Sequence, residues 1–266
     1  MANPIGVCHL CGITARLSFE HVPPKAAFND SSLLKASLTE WLSASADRSK
    51  MRSSQSRRGA GDYTLCERCN NQTGAWYVPA YVDWAYQGMR FARAGGSSLA
   101  LPFYILPARI AKQIFCMFAS ANGKGFMAVN RELAKYVLDR DAVGIPNRFR
   151  LYCYLMSPES SSARQTGIVA RNSGSKTEIF SEIAFRPFGY ILTWDGNPPP
   201  QRELVDITYF THHRWNEFRD LHIPFPMMEV NTYLPADFRS RAEWEAAQRK
   251  ASWKAGDDAT PADQSP

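Results

Sequence analysis

Two tight cysteine pairs, Cys8/Cys11 and Cys66/Cys69, constrain this chain more than any other feature. Each pair has C-x-x-C spacing, and 54 residues separate Cys11 from Cys66. In a reducing compartment, paired thiols at this spacing favour a metal over a disulfide. Two such knuckles, each offering two thiolates, can converge on one tetrahedral Zn²⁺. A small module without much core then draws folding free energy from the ion, because binding and folding are coupled. The remaining cysteines, Cys116 and Cys153, fall in an apolar helical pattern and a strand pattern, and read as buried small hydrophobes.

Length and composition set outer bounds. The 266 residues suffice for one large or two modest domains, and 45% hydrophobic with 21% charged content is ordinary for a globular protein. A net charge of +6 suits a polyanionic partner without demanding one. The first residues, Met1 to Gly6, lack a basic region leading into an apolar core, so no signal peptide is predicted. The most apolar stretches, Leu101 to Leu106 and Ile114 to Ala121, fall far short of the ~20 residues a spanning helix needs. A soluble, cytoplasmic protein with no membrane partner is expected.

Three regions follow along the chain. Residues 1–75 hold both cysteine pairs and, from Ser43 to Gly61, a Ser-, Arg- and Gly-rich stretch. Its Arg48, Lys50, Arg52, Arg57 and Arg58 have no acidic residue among them, which predicts a mobile surface loop able to touch a phosphate backbone. Residues 76–253 read as an α+β domain rich in strands, with no role that its residues assign. It opens on Trp76, Tyr77, Tyr81, Trp84, Tyr86 and Phe91, where helical spacing predicts a helix beginning near Pro79 and an aromatic packing face. Leu101 to Leu106 reads as a strand, then Ile110, Ile114, Met117 and Phe118 form one helical stripe and Leu133, Tyr136 and Val137 another. Candidate strands are Arg148 to Met156, Gly167 to Arg171, Glu178 to Phe185, Tyr190 to Trp194 and Val205 to Phe210. Asn197 to Pro200 is a turn, Ala242 to Ala251 a short helix, and residues 254–266 a disordered acidic tail.

Between the cysteine pairs stands Glu20-His21-Val22-Pro23-Pro24, and directly after the last cysteine come Asn70 and Asn71. Across roughly residues 8 to 74 the chain resembles the HNH endonuclease superfamily. That family's pattern is C-x-x-C, an acidic residue before His, and a second C-x-x-C ending in Asn or His. Phage junction-resolving endonucleases of the superfamily share the Asn immediately after the last cysteine. The resemblance implies a small zinc-stabilised ββα-metal module, with Cys8, Cys11, Cys66 and Cys69 on a structural Zn²⁺. It further implies His21 as general base, and Glu20 and Asn70 as ligands of a catalytic Mg²⁺ or Mn²⁺. The expected reaction is hydrolysis of DNA phosphodiester bonds, leaving 5′-phosphate and 3′-hydroxyl ends, with RNA not excluded. By analogy, such chains serve phage biology, mobile elements or host defence. The chemistry is coherent: neutral imidazole is a suitable base near pH 7, and hard oxygen ligands suit ions that also bind phosphate.

The chain departs from the pattern at one place. Family members have a middle Asn a few residues before the second cysteine pair, which orients the histidine. Here that stretch is Asp62-Tyr63-Thr64-Leu65. Asp62 or a backbone carbonyl can serve instead, and Asn29 only if the chain folds back. Of the remaining candidates, His9 reads as exposed or packed behind the metal. His212, His213 and His222 lack a paired carboxylate at ligand spacing, and Arg16, Lys25 and Arg68 are possible phosphate contacts. The rival reading is a zinc-knuckle nucleic-acid-binding module without catalysis, in which Glu20 and His21 are structural. The second domain is expected to recognise substrate, bind a protein partner or form a homodimer.

Overall fold

The computed structural model describes residues 3–43, 52–95, 100–173, 176–195 and 204–257, and shows a mixed α+β protein. Strands β1 (Ile5–Val7), β2 (Thr14–His21) and β5 (Gly61–Cys66) form a three-stranded sheet in the order β1-β2-β5. Between β2 and β5 the chain makes an excursion containing β3 (Leu33–Lys35), α1 (Leu38–Ser43) and β4 (Ser54–Ser56), with β3 and β4 paired. The expected basic loop is therefore partly a strand; Arg48 and Lys50 lie outside the described residues. Helix α2 (Glu67–Ala94) leaves β5 directly, so β2, β5 and α2 make a hairpin followed by a helix.

The helix starts twelve residues earlier than Pro79 predicts and runs through it. Proline removes one backbone donor from a helix interior; here tertiary packing outweighs that loss. Tyr77, Tyr81, Trp84 and Ala85 are buried along one side of α2, as the helical spacing anticipates. Trp84 stacks on Phe188 at 4.4 Å and its indole N–H donates to Tyr190 Oη at 3.0 Å. A Cβ on Gly88 would lie 2.3 Å from the Phe188 ring, so glycine lets that ring reach the helix. Since α2 crosses position 75 without a break, one apolar cluster joins Cys8, Leu17 and Leu65 to Trp84, Phe103, Phe188 and Phe210.

Beyond α2 come β6 (Leu101–Ile105), α3 (Pro107–Ala121), α4 (Phe126–Val129) and α5 (Arg131–Leu138). The strands that follow are β7 (Phe149–Met156), β8 (Arg164–Gln165), β9 (Val169–Ser173), β10 (Lys176–Phe185), β11 (Phe188–Trp194) and β12 (Val205–Asp206). The sequence expected a strand through Phe210; instead a 3-10 turn spans Thr208–His212. After it lie β13 (Arg219–Ile223), β14 (Met227–Met228) and α6 (Arg241–Asp257). Strands β12, β7, β11, β10 and β8 lie in that order in a largely antiparallel sheet, with β9 on β10 and β14 parallel to β7; β13 pairs β6. Both faces of β7 are covered. Phe149, Leu151, Cys153 and Leu155 enter the main core, while Tyr152, Tyr154 and Met156 enter a second cluster with Val230 and Ala236. Helix α6 carries the chain through Lys254–Asp257, which the sequence reading gave to the acidic tail. The rest of that tail and Asn197 to Pro200 lie outside the described residues.

Candidate metal centre and hairpin site

The cysteine cluster is built by a tight turn and a helix start. After β1, Cys8 N–H donates to Ile13 O and Gly12 N–H to Cys8 O, both at 2.9 Å, folding the first pair around the turn. Gly12 takes φ 75°, a conformation that side chains resist. The second pair straddles the junction of β5 and α2: Cys66 ends the strand and Cys69 lies in the first helical turn. All four sulfurs lie within 4.8 Å of one another, and Cys11 Sγ is 3.9 Å from Cys66 Sγ. A tetrahedral thiolate site with Zn–S of ~2.3 Å implies sulfurs about 3.8 Å apart, whereas a disulfide needs ~2.05 Å. The four cysteines could therefore hold a metal ion such as zinc, and among the described residues no other such group exists. The Cys69 thiol donates to Cys8, which with backbone N–H groups lowers Cys8 to about 4 against the cost of burial. Cys69, whose proton that bond holds and which is also buried, is pushed far up. The packed sulfurs thus resist sharing several negative charges until a cation compensates them.

The Glu20-His21 pair sits at the end of β2, where Glu20 faces Asp62 and His21 faces Gly61 across the hairpin. Alternation along the strand sends the two side chains to opposite faces. The His21 ring packs edge-on against Phe19 at 4.9 Å on the outer face, and Phe19 meets Tyr63 at 5.6 Å. Arg58 lies over Phe19 at 4.9 Å and donates to Tyr63 Oη at 3.1 Å. Partial burial lowers the His21 pKa below its usual 6.5, and the cations Lys25 and Arg58 push the same way. The Arg58 backbone pulls the value the other way, upward. His21 is consequently a neutral imidazole at neutral pH.

Glu20 points inward, toward the helices, and is only 7% exposed. Burial raises its carboxyl to about 8, and among the described residues no side-chain hydrogen bond compensates it. Its charge also acts on the Cys116 thiol of α3, which burial chiefly pushes up. Asn70, in the first turn of α2, reaches the same face of β2. Its Nδ2 donates to Ser18 Oγ at 2.9 Å and to Phe19 O at 3.3 Å, and Ser18 Oγ donates to Leu65 O at 3.2 Å. Both amide hydrogens are thereby committed, so Asn70 Oδ1 is turned away and accepts no bond among the described residues. The bulge at Ser18/Phe19, with Thr64 as the extra residue on β5, assists this alignment. Thr64 Oγ1 donates to Ser120 Oγ of α3 at 2.8 Å, tying the hairpin to the core.

Of the predicted residues, then, Glu20 and Asn70 share the inner face of the hairpin, and His21 occupies the outer face one residue away. A buried carboxyl without a partner and an unengaged amide oxygen are the kind of hard oxygen donors a divalent cation takes alongside water and phosphate. His9 is half-buried behind the first knuckle, with Nδ1 unpartnered. His213 pairs with Glu217 at 2.8 Å, so it is engaged locally. Lys25 contributes to the field at His21, as above. Sequence reasoning did not single out Ser18, which orients Asn70. Among the described residues, no helix is long and apolar enough to cross a membrane. Compared with known proteins, the chain matches no family model, no curated sequence and no solved structure.

Proposed function

We propose that this protein is a metal-dependent HNH-type endonuclease acting on DNA, with zinc on the four cysteines as scaffold. The observation that carries the reading is the alignment of Glu20 and Asn70 on one face of a hairpin-helix unit that the cysteines close, with a neutral His21 at the strand's end. A hard divalent ion held by the Glu20 carboxylate and Asn70 Oδ1 would neutralise charge on the scissile phosphate and its leaving oxygen. His21 takes the proton of the attacking water as its oxygen bonds to phosphorus, and the phosphorus–O3′ bond breaks. Phe19, Tyr63 and Arg58 flank His21 and offer a stacking surface and a cation to the same strand.

The near-complete burial of Glu20 favours a second reading, a zinc-knuckle binding module in which that carboxyl is only structural. One experiment separates the two: cleavage of plasmid and single-stranded DNA with Mg²⁺ or Mn²⁺, with EDTA, and by His21→Ala. Metal-dependent nicking that drops at least ~10²-fold in His21→Ala, with zinc content unchanged, is the expected result. A zinc-loaded wild type that binds DNA but never cuts it would leave the binding module standing.

A further inference from the structure

A groove of about 1150 Å³ runs between the β3–β4 excursion, α2 and the β7–β8 and β10–β11 connections of the large sheet. Small-molecule pockets are mostly apolar and reach ~300–1,000 Å³. This one is larger, and four cations line it: Lys25 and Lys35 on the excursion, Arg93 at the end of α2, and Arg186 between β10 and β11. Lys25, Arg93 and Arg186 are exposed, while the half-buried Lys35 ammonium donates to Gly61 O. Against them stand the carboxylates Asp30 and Asp62; Arg164, which also reaches the groove, is neutralised by Glu182 at 2.9 Å. Positive charge is therefore in excess.

An aromatic pair lies in the same groove. Tyr86 is 52% exposed, whereas Tyr81 and Trp84 on the same helix are covered by the core. Its ring meets Phe28 at 4.7 Å, and Phe28 has φ 65°, a conformation that bulky residues rarely take. The next residue sustains that strain. Asn29 is 1% exposed; its Nδ2 donates to Pro23 O at 2.6 Å and to Ala60 O at 2.7 Å, and its Oδ1 accepts from Ala60 N–H at 2.6 Å. The groove also abuts the hairpin, because Gly61 and Asp62 line it and stand opposite His21 and Glu20 in the β2–β5 pairing.

We infer that this groove holds a single DNA strand, with its phosphates along the four cations and a base stacked on Tyr86, and leads that strand to the hairpin. A charged groove tracks a backbone, and an exposed ring beside it takes the face of an unpaired base. A duplex keeps those faces inside its stack and cannot use the ring. The substrate form is thus single-stranded or locally unpaired DNA. The inference rests on the nuclease reading for the fate of the strand, while the binding can be measured apart from it.

The test is fluorescence anisotropy on the full zinc-loaded chain without added Mg²⁺ or Mn²⁺. The probe is a labelled mixed-sequence oligonucleotide, alone and annealed to its complement. Wild type should hold the single strand at least ~10-fold more tightly than the duplex, and Tyr86→Ala should weaken the single strand roughly 5–100-fold. Lys25→Ala/Arg93→Ala should make the plot of log affinity against log salt shallower by about 0.7 per cation removed. Tyr104→Ala removes a similarly exposed tyrosine outside the groove and should bind as wild type does. If Tyr86→Ala fails to fold, Tyr86→Leu keeps apolar bulk against Phe28 without a stacking face, and Tyr86→Phe should restore binding. Full affinity in the folded Tyr86 variant, or equal affinity for duplex, overturns the inference. Groove-dependent binding by a protein that never cuts DNA supports it and sinks the nuclease reading. Cleavage that needs His21 but is indifferent to Tyr86 does the reverse.

Discussion

The start and the middle of α2 sit in different kinds of surroundings. At its start, Cys69 joins three other sulfurs beside a hairpin whose neighbours Ile5 and Ile13 are largely exposed. Fifteen residues later, Trp84 is wrapped by Phe103, Phe188, Phe210 and Phe225, all within 5.8 Å between ring centroids. The first region adds a ligand cluster to a small apolar set, Leu10, Leu17, Val22 and Leu65. The second is held by close packing, with an ion pair, Arg164–Glu182, buried nearby, whose carboxylate also accepts from Tyr154 Oη and Ala236 N–H. One helix thus serves two stabilising devices that respond to different insults.

Chelation or Cys66→Ser should give the largest separation between them. The cysteine region should lose protection from hydrogen exchange throughout, while amides of β7, β10 and β11 stay protected. Metal binding to such sites is worth about 10–16 kcal/mol in isolated knuckles. Uniform loss of protection across the chain would show that the comparison draws its line in the wrong place. Trp84→Ala should act the other way, costing about 3–5 kcal/mol by denaturant titration. It should leave zinc stoichiometry intact in the protein that remains folded.

A third difference concerns pH. Folded Glu20 holds its proton up to about 8 against 4.5 ordinarily, so folding takes up a proton across that interval. Stability from this group is complete below pH 4.5 and is lost as pH climbs toward 8. The loss is on the order of a few kcal/mol. Glu20→Gln should flatten that decline, and Mg²⁺ at pH 8 should oppose it in wild type if the carboxylate is a ligand. A decline that is identical in both proteins would remove Glu20 from the account. The smallest effect expected is from Gly88→Ala, about 1–3 kcal/mol in overall stability, because the added Cβ meets Phe188. It should be silent at the cysteines.

What could be read from the residues follows the same division. Cysteine spacing, apolar stripes and strand runs are local signals, and the pairs, α3, α5 and strands β7, β9, β10 and β11 follow from them to within a few residues, whereas β8 and β14 do not. The start of α2 does not, because Pro79 is a local signal that burial of Tyr77, Tyr81 and Trp84 overrides. Nor does the burial of Glu20, which depends on α3 closing over the hairpin. Asn29 was recognisable as a candidate by type alone. Its partners stand 6 and 31 positions away, and only the return of the excursion brings them together.

The unbroken passage of α2 through position 75 governs how this protein can be taken apart. A polypeptide ending there would keep both cysteine pairs but only the first turns of the helix. Its complement would begin in mid-helix, with Tyr77, Tyr81 and Trp84 deprived of the preceding turns. Neither piece would be a natural unit of expression, inheritance or recombination. Exchange of parts among related chains should respect the whole of Glu67–Ala94, and shuffled genes that split it should yield insoluble protein.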